Sequence, residues 1–336
     1  MPKLRSHLLR IDDYPAHLNE QWEKHKTSKL PGAPTLISTF AGIGGSSLGY
    51  SMAGCKELLA VEWDDYCVDV FHDNFPDVPI YHGDIGELTL QQVFDITKLE
   101  KGELDIFDGS PPCQGFSHAG KRRLDDDRNQ LFLHFVRLLD GLQPKSFVME
   151  NVSGLVRGKM KLVFVEILKA LKACGYKTSA RLLDAQWFGV PQRRARIIIL
   201  GIREDLGITP THPVAQYAPI AAEDAIADLP IDDILEFVTE KYRDWWANVP
   251  PGKNFTEVHP KGYWYNQQKA HPKKPFPTLT KFVFPTGSSG ITHWLKPGQL
   301  TIPMAKRVQS FPDAFEFNSG DFKQQWGGLG IQCRPF

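Results

Sequence analysis

The sequence concentrates chemistry-bearing residues at a few points. Gly109-Ser110-Pro111-Pro112-Cys113-Gln114-Gly115-Phe116-Ser117 is a loop stiffened by two prolines around a cysteine. A lone cysteine is commonly a small buried hydrophobe. In a Pro/Gly-rich loop directly after an apolar run it is better suited to act as a nucleophile. The loop continues into Lys121-Arg122-Arg123, a basic stretch suited to phosphates. Glu150-Asn151 closes a later apolar run, where a carboxylate with a raised pKa could hold or donate a proton. An acid at a helix N-terminus is the plainer alternative. Gln192-Arg193-Arg194-Ala195-Arg196 leads into another apolar run, and strand alternation predicts Arg194 and Arg196 on one face with Arg193 on the other. Two guanidiniums on one side can clamp a planar acceptor or a phosphate.

Phe40-Ala41-Gly42-Ile43-Gly44-Gly45 is a glycine turn that lets a ligand approach the backbone, and Glu62 closes the next apolar run. A carboxylate there can accept both hydroxyls of a ribose. By itself such a turn is also an ordinary structural one. The strand before it, the helix after it and the acid at the second strand's end favour a nucleoside-containing cofactor. Ser47 stands where the third glycine of the dinucleotide pattern would fall, so a mononucleoside-type ligand fits better than NAD.

These points need a scaffold. Short apolar runs occur at 36–40, 58–61, 104–107, 146–149 and 197–200, most of them ending in Gly, Asp or Glu. Helical patterns lie between them. In 161–174 the residues Leu162, Val165, Leu168 and Leu171 recur at three-residue spacing with Ile167 widening the stripe, and Gly175 follows as a C-cap. Strands alternating with helices predict a doubly wound α/β fold around a mostly parallel sheet, with ligands beyond the carboxyl ends of the strands. Gly42, Glu62, Asp108 and Glu150 fall at that edge.

Composition sets the outer bounds. The chain has 336 residues, 39 Lys+Arg against 39 Asp+Glu, and 42% hydrophobic content, which fits about two folded domains and excludes wholesale disorder. Zero net charge excludes a globally basic nucleic-acid binder but not a local basic face. Five scattered cysteines without a CxxC or a Cys/His cluster speak against a disulfide scaffold or structural zinc, so no metal is expected. With no apolar run long enough for a membrane span and no signal-peptide pattern, a cytoplasmic location without membrane association is expected. Residues 1–34 read as an extension with one short helix. After Gly201 the periodicity weakens. Residues 223–240 hold seven acids and no Lys or Arg, whereas 241–281 hold eight Lys/Arg against two acids, interleaved with eight aromatics. That predicts a separate irregular module over 204–300.

The ordered blocks resemble the DNA (cytosine-5) methyltransferases. FAGIGG (40–45), VEWD (61–64), GDI (83–85), GSPPCQGFS (109–117), RNQLF (128–132), MENV (149–152) and VPQRRARI (190–197) appear in order, followed by PFPTLT (275–280) and RVQSFPDAF (307–315). The resemblance covers roughly 35–203 and resumes around 275–320. It implies a Rossmann-like methyltransferase sheet over 35–203, a smaller target-recognition domain over 204–300 and a return segment over 301–336. S-adenosylmethionine would be the methyl donor, leaving S-adenosylhomocysteine. Phe40, Ala41, Gly42, Ile43, Gly44, Gly45, Glu62, Trp63, Asp84, Ile85, Asp108, Pro111 and Leu131 would form its site. Cys113 would attack C6 of a flipped cytosine, Glu150 would bind the N3 edge, Arg196 would hold O2, and Arg194 would support the site. Ser117, Lys121, Arg122, Arg123, Lys273 and Lys274 would contact double-stranded DNA. The implied enzyme is monomeric, of restriction–modification or orphan type, with a cognate endonuclease as a genetic partner.

Two departures stand out. Ile302-Pro303-Met304 replaces the family's usual Arg-Glu after the late threonine. The family's closing Gly-Asn-Ser/Ala-Val-Pro-Pro block and its following helix are replaced by Gly327 to Phe336. One base deleted from a reading frame for Gly-Asn-Ser-Val-Pro-Pro-Leu would yield residues 330–336. The expectation is a truncated return segment with Ile331 in place of the asparagine, exposed apolar sheet surface and weak cofactor binding. The alternative functions are therefore a catalytically impaired DNA-binding descendant and a tRNA cytosine-5 methyltransferase. The basic module and the lack of a Cys-Phe-Thr signature weigh against the second.

Overall fold

The apolar runs form strands because each is rich in β-branched or aromatic residues and stops at a glycine or an acid. A computed structural model describes residues 8–27, 29–112, 130–158, 160–236, 239–262, 267–280 and 290–331. Helix α1 (Tyr14–Lys26) precedes the alternating series β1 (Thr35–Thr39), α2 (Gly45–Met52), β2 (Lys56–Glu62), α3 (Asp65–Asn74), β3 (Ile80–His82), α4 (Leu90–Thr97) and β4 (Ile106–Gly109). There follow α5 (Gln130–Leu142), β5 (Ser146–Val152), α6 (Met160–Ala173), β6 (Tyr176–Asp184) and β7 (Ala195–Arg203). Beyond these lie α7 (Ala222–Ile226), α8 (Glu240–Asn248), β8 (Gln267–Lys269), β9 (Gly290–Thr292), α9 (Ile302–Val308) and α10 (Phe322–Ile331).

The central sheet has seven strands in the order β3-β2-β1-β4-β5-β7-β6. β1 to β5 pair in parallel, and β7 runs antiparallel to both β5 and β6. The sheet is thus mostly parallel, as the alternation predicts. The chain order reverses between β1 and β4, which opens a crevice at their carboxyl ends, the usual ligand position in such sheets.

Helices α4, α5 and α6 cover one face, burying Phe107, Phe135, Phe147, Met149, Ile197 and Ile199. The stripe expected on α6 differs from the one observed. Leu162 and Val165 are exposed, whereas Ile167 and Leu171 are buried and Met160, Val163, Phe164 and Leu168 pack beside them. A strict three-residue repeat drifts around a helix of 3.6 residues per turn, and the i, i+3, i+4, i+7 set is the one that stays on one face. Gly175 follows this helix with φ +87°, the left-handed conformation of a C-terminal cap.

The second core lies on the other face and joins distant parts of the chain. Tyr14, Leu18 and Trp22 of α1 pack with Phe71 and Phe75 of α3, Ala225 and Ile226 of α7, Phe276, Ile291, Met304 and Trp326. The helix expected in the N-terminal extension therefore seals this core. The Tyr14 hydroxyl donates to the Arg307 carbonyl at 2.9 Å. Arg307, almost fully buried, pairs with Asp313 at 2.7 Å and with Asp228. Apolar residues of 204–300 share this core with the residues around the glycine turn.

Candidate active site

The glycine turn begins with backbone that most residues avoid. Phe40, Gly42 and Gly44 have φ of +58°, +54° and +91°. At Gly44 a Cβ would also overlap the Phe75 ring, so that glycine is required for packing onto α3 as well as for its φ. Glu62, at the carboxyl end of β2, closes the turn from the other side. Its carboxylate accepts the Gly42 N–H at 2.6 Å, the Trp63 N–H at 2.9 Å and the Asp64 N–H at 3.0 Å. A carboxylate has about four acceptor sites, so this grip leaves capacity for a hydroxyl. Trp63 presents its indole to solvent at 75% exposure, and Ala41, Ile43 and Ile85 are buried. Asp84 accepts the Gly86 N–H at 2.7 Å, and Arg137 holds the same turn by donating to the Ile85 and Leu88 carbonyls. An acid, an exposed aromatic and a left-handed backbone turn at one strand edge fit a nucleoside-bearing ligand. Leu131 lies on α5, packed against the core that this helix covers.

Next to the turn is a buried acid network. Asp108 on β4 accepts the Tyr50 hydroxyl at 3.1 Å, and burial pushes its carboxyl up to about 7. Glu57 accepts hydroxyl hydrogen bonds from Ser38 and from Ser47, the latter at 3.1 Å, and burial pushes it up to about 7 as well. Asp108 stands at the ligand edge that the strand pattern predicts, whereas Glu57 sits near the start of β2 with no motif to mark it.

Glu150 on β5 and Arg196 on β7 meet directly, with Arg196 Nε donating to Glu150 Oε1 at 2.8 Å. Both side chains are mostly buried. They share with Asp108 and Tyr50 the wall of a cavity of about 310 Å³. The adjacent Asn151 turns to the opposite face and donates from Nδ2 to the Pro111 carbonyl at 3.1 Å. Two sequence blocks are thereby tied at the base of the loop that leads to Cys113. That role for Asn151 was missed, although the residue stands beside Glu150 in the block that signalled it.

Arg194 and Arg196 do not form the clamp expected from alternation. β7 starts only at Ala195, so Arg194 is outside the strand and its direction is set by the turn instead. It is buried, its N–H donates to Asp184 at 2.9 Å and its guanidinium reaches the Leu279 carbonyl at 3.4 Å. Arg193 and Phe276 exchange backbone hydrogen bonds with 275–280 and 190–193, and Gln192 Oε1 accepts from the Leu279 N–H. The PQRRAR and PFPTLT blocks, more than eighty residues apart, are therefore one joint. Lys273 forms an exposed pair with Glu223, and Lys274 lies next to it. Cys113, Ser117, Lys121, Arg122 and Arg123 lie outside the described residues.

Residues 35–327 match the family model of C-5 cytosine-specific DNA methylases. The chain belongs to this family. It is 32% identical over 306 residues to the Type II methyltransferase M.NgoFVII of Neisseria gonorrhoeae, a match covering 84% of this chain and 79% of that relative. It is 40% identical over 214 residues to M.XorII of Xanthomonas oryzae pv. oryzae, where the match covers 63% of this chain and half of the relative. Among solved structures, an E. coli prophage protein described as a DNA modification methyltransferase superposes with a TM-score of 0.69 at 25% identity, over 90% of this chain and 95% of that one. The enzyme class of the family is DNA (cytosine-5) methyltransferase, and the mostly parallel sheet is its Rossmann-like core. Among the described residues, no helix is long and apolar enough to cross a membrane.

Proposed function

We propose that this chain transfers a methyl group from S-adenosylmethionine to C5 of a cytosine in a specific duplex DNA sequence, through a covalent Cys113 adduct. The observation that carries the proposal is the Glu150–Arg196 pair, held at 2.8 Å on adjacent strands at the ligand edge, beside the base of the Pro111–Cys113 loop. The residues of the glycine turn suit the cofactor: Glu62 for the ribose hydroxyls, Trp63 and Phe40 for the adenine, and Asp84-Ile85 for its edge. Bound there, S-adenosylmethionine supplies an electrophilic sulfonium methyl.

The protein's own groups do the rest. C5 of cytosine is a weak nucleophile until electron density is added to the ring. The Cys113 thiolate adds at C6 while Glu150 passes a proton to N3, so that the negative charge developing on the ring is neutralised, and that proton returns to Glu150 when the adduct collapses. Arg196, already bonded to Glu150, has further N–H donors for the O2 oxygen. After methyl transfer the C5 proton leaves to a base and the C6–S bond breaks, returning Cys113. Because C6 is inaccessible in a duplex, the base is flipped at a cost of a few kcal/mol. Lys273, Lys274, Ser117 and the 121–123 arginines and lysine contribute phosphate contacts, and 204–300 supplies base recognition.

Tritiated methyl transfer to mixed duplex DNA and to tRNA tests the reading. DNA labelling that disappears in Cys113→Ser is expected. Labelling of tRNA alone, or a Cys113→Ser variant that retains near-full transfer, would overturn it.

A further inference from the structure

The turn between β3 and α4 is held in place by a different helix. Residues 83–88 lie beyond the sheet edge, and their own backbone gives them little support. The Gly86 N–H donates to Asp84 Oδ1 at 2.7 Å, and the Glu87 N–H donates to the Asp84 carbonyl at 3.0 Å. One more bond, from the Gly83 N–H to the Glu62 carbonyl at 3.0 Å, ties the start of the turn to β2. The carbonyls of Ile85 and Leu88 find no backbone donor among the described residues, although both residues are buried. A buried carbonyl needs a donor. Arg137 of α5 is that donor, and its Nη2 alone reaches both carbonyls, each at 2.9 Å.

The rest of α5 is keyed to the same segment. One turn before Arg137, the His134 ring lies against Gly86, where a Cβ would come within 3.1 Å of its Nε2. One turn after it, Gly141 lets Leu90 at the start of α4 press onto the helix, since a Cβ there would overlap the leucine side chain. Arg137 itself is poorly suited to stabilise the fold alone. Among the described residues no carboxylate pairs with it, and its Nε is buried without a partner. Apolar packing is commonly the more stable arrangement around a charge held that way. What the guanidinium does well is fix two carbonyls to one point. The side chain that this fixes in space is Asp84, exposed at the ligand edge with its Oδ1 taken by the Gly86 N–H. Its Oδ2 stays available as an acceptor. The 6-amino group of a purine can donate to it, whereas a 6-oxo purine would set acceptor against acceptor.

We infer that Arg137 is a positioning residue for cofactor selection: its hold on the Ile85 and Leu88 carbonyls aims Asp84 at the 6-position of the bound purine, so that the site takes a 6-amino base and rejects a 6-oxo one. The inference rests on the S-adenosylmethionine reading proposed above. Arg137 acts through the turn and touches neither the cofactor nor the reacting atoms.

Calorimetry on the full chain compares S-adenosylhomocysteine with its 6-oxo analogue, S-inosylhomocysteine. The parent should prefer the first by about tenfold or more, the effect of one hydrogen bond to a charged group. Arg137→Met keeps the aliphatic stem and removes the donors. Its preference should shrink to about threefold or less, mainly through weaker binding of S-adenosylhomocysteine. Arg137→Lys should restore most of the preference, because a single terminal nitrogen makes both bonds. Arg137→Gln, polar but too short for both carbonyls, is the second loss variant in case Arg137→Met does not fold. A general loosening of the fold would weaken both ligands alike and leave their ratio unchanged. An unchanged ratio in whichever loss variant folds overturns the inference and leaves the proposed cofactor in place. Equal binding of the two ligands to the parent does the same. A parent chain that binds neither ligand sinks the cofactor reading and the inference with it.

Discussion

Glu150 and Arg196 form a diagonal pair across antiparallel strands: Glu150 faces Ile198 and Arg196 faces Val152, yet their side chains meet at 2.8 Å. The offset of two residues keeps both on one face of the sheet. The pair is thus set by strand register, which a single-residue slip would destroy.

Glu150→Gln keeps the shape and removes the charge. Methyl transfer should fall by about 100-fold or more, the scale of a lost acid–base group. Its melting temperature should stay close to that of the parent chain. Initial rates of tritium incorporation beside a thermal melt check both parts, and a rate within a factor of two of the parent would remove Glu150 from the reaction.

Asn151→Ala breaks the hydrogen bond to the Pro111 carbonyl and frees the base of the Cys113 loop. The expected stability loss is about 1–2 kcal/mol, because the same side chain also accepts the Val152 N–H at 2.9 Å. The expected kinetic effect is larger on kcat than on KM for DNA. Urea denaturation and steady-state rates separate the two, and an unchanged kcat would show that the tie is only structural.

Gly44→Ala and Gly54→Ala are a controlled pair. Both glycines have φ near +90°, but a Cβ at Gly44 overlaps the Phe75 ring while one at Gly54 meets nothing within 4 Å. Gly54→Ala should cost about 1–2 kcal/mol from backbone strain alone. Gly44→Ala should cost several kcal/mol, since about 1–3 kcal/mol of overpacking is added. Equal losses in chemical denaturation would mean that the Phe75 ring moves aside freely.

Glu57 and Asp108 make stability depend on pH in a particular direction. Burial raises both carboxyls to about 7, so each binds its proton more tightly in the folded chain than in the unfolded one. Their contribution is fully present below about pH 4, the ordinary carboxylate range, and is lost as pH rises through 7. Glu57→Gln retains an acceptor for Ser38 and Ser47 but cannot ionise. The stability difference between Glu57→Gln and the parent should therefore grow in favour of the variant between pH 4 and 7, read by urea denaturation at each pH. A difference that stays flat over that range would mean Glu57 titrates as if exposed.

The strand–helix alternation, the glycine turn and the acids that end β2 and β5 are legible in the residues alone. These are local properties: runs of β-branched residues, left-handed glycines and an acid after an apolar run act over a few residues. Family membership is legible there too, because blocks such as GSPPCQGFS and VPQRRARI keep their order. Tertiary structure alone decided which arginine reaches Glu150. Alternation treated Arg194 and Arg196 alike, but Arg194 lies before the strand and is held by Leu279, eighty-five residues further along the chain. It likewise decided that α1 seals a core with α9 and α10, and that Glu57 meets the hydroxyls of Ser38 and Ser47. Burial, register and long-range pairing depend on where distant segments meet, and no local pattern in one sequence encodes the partner.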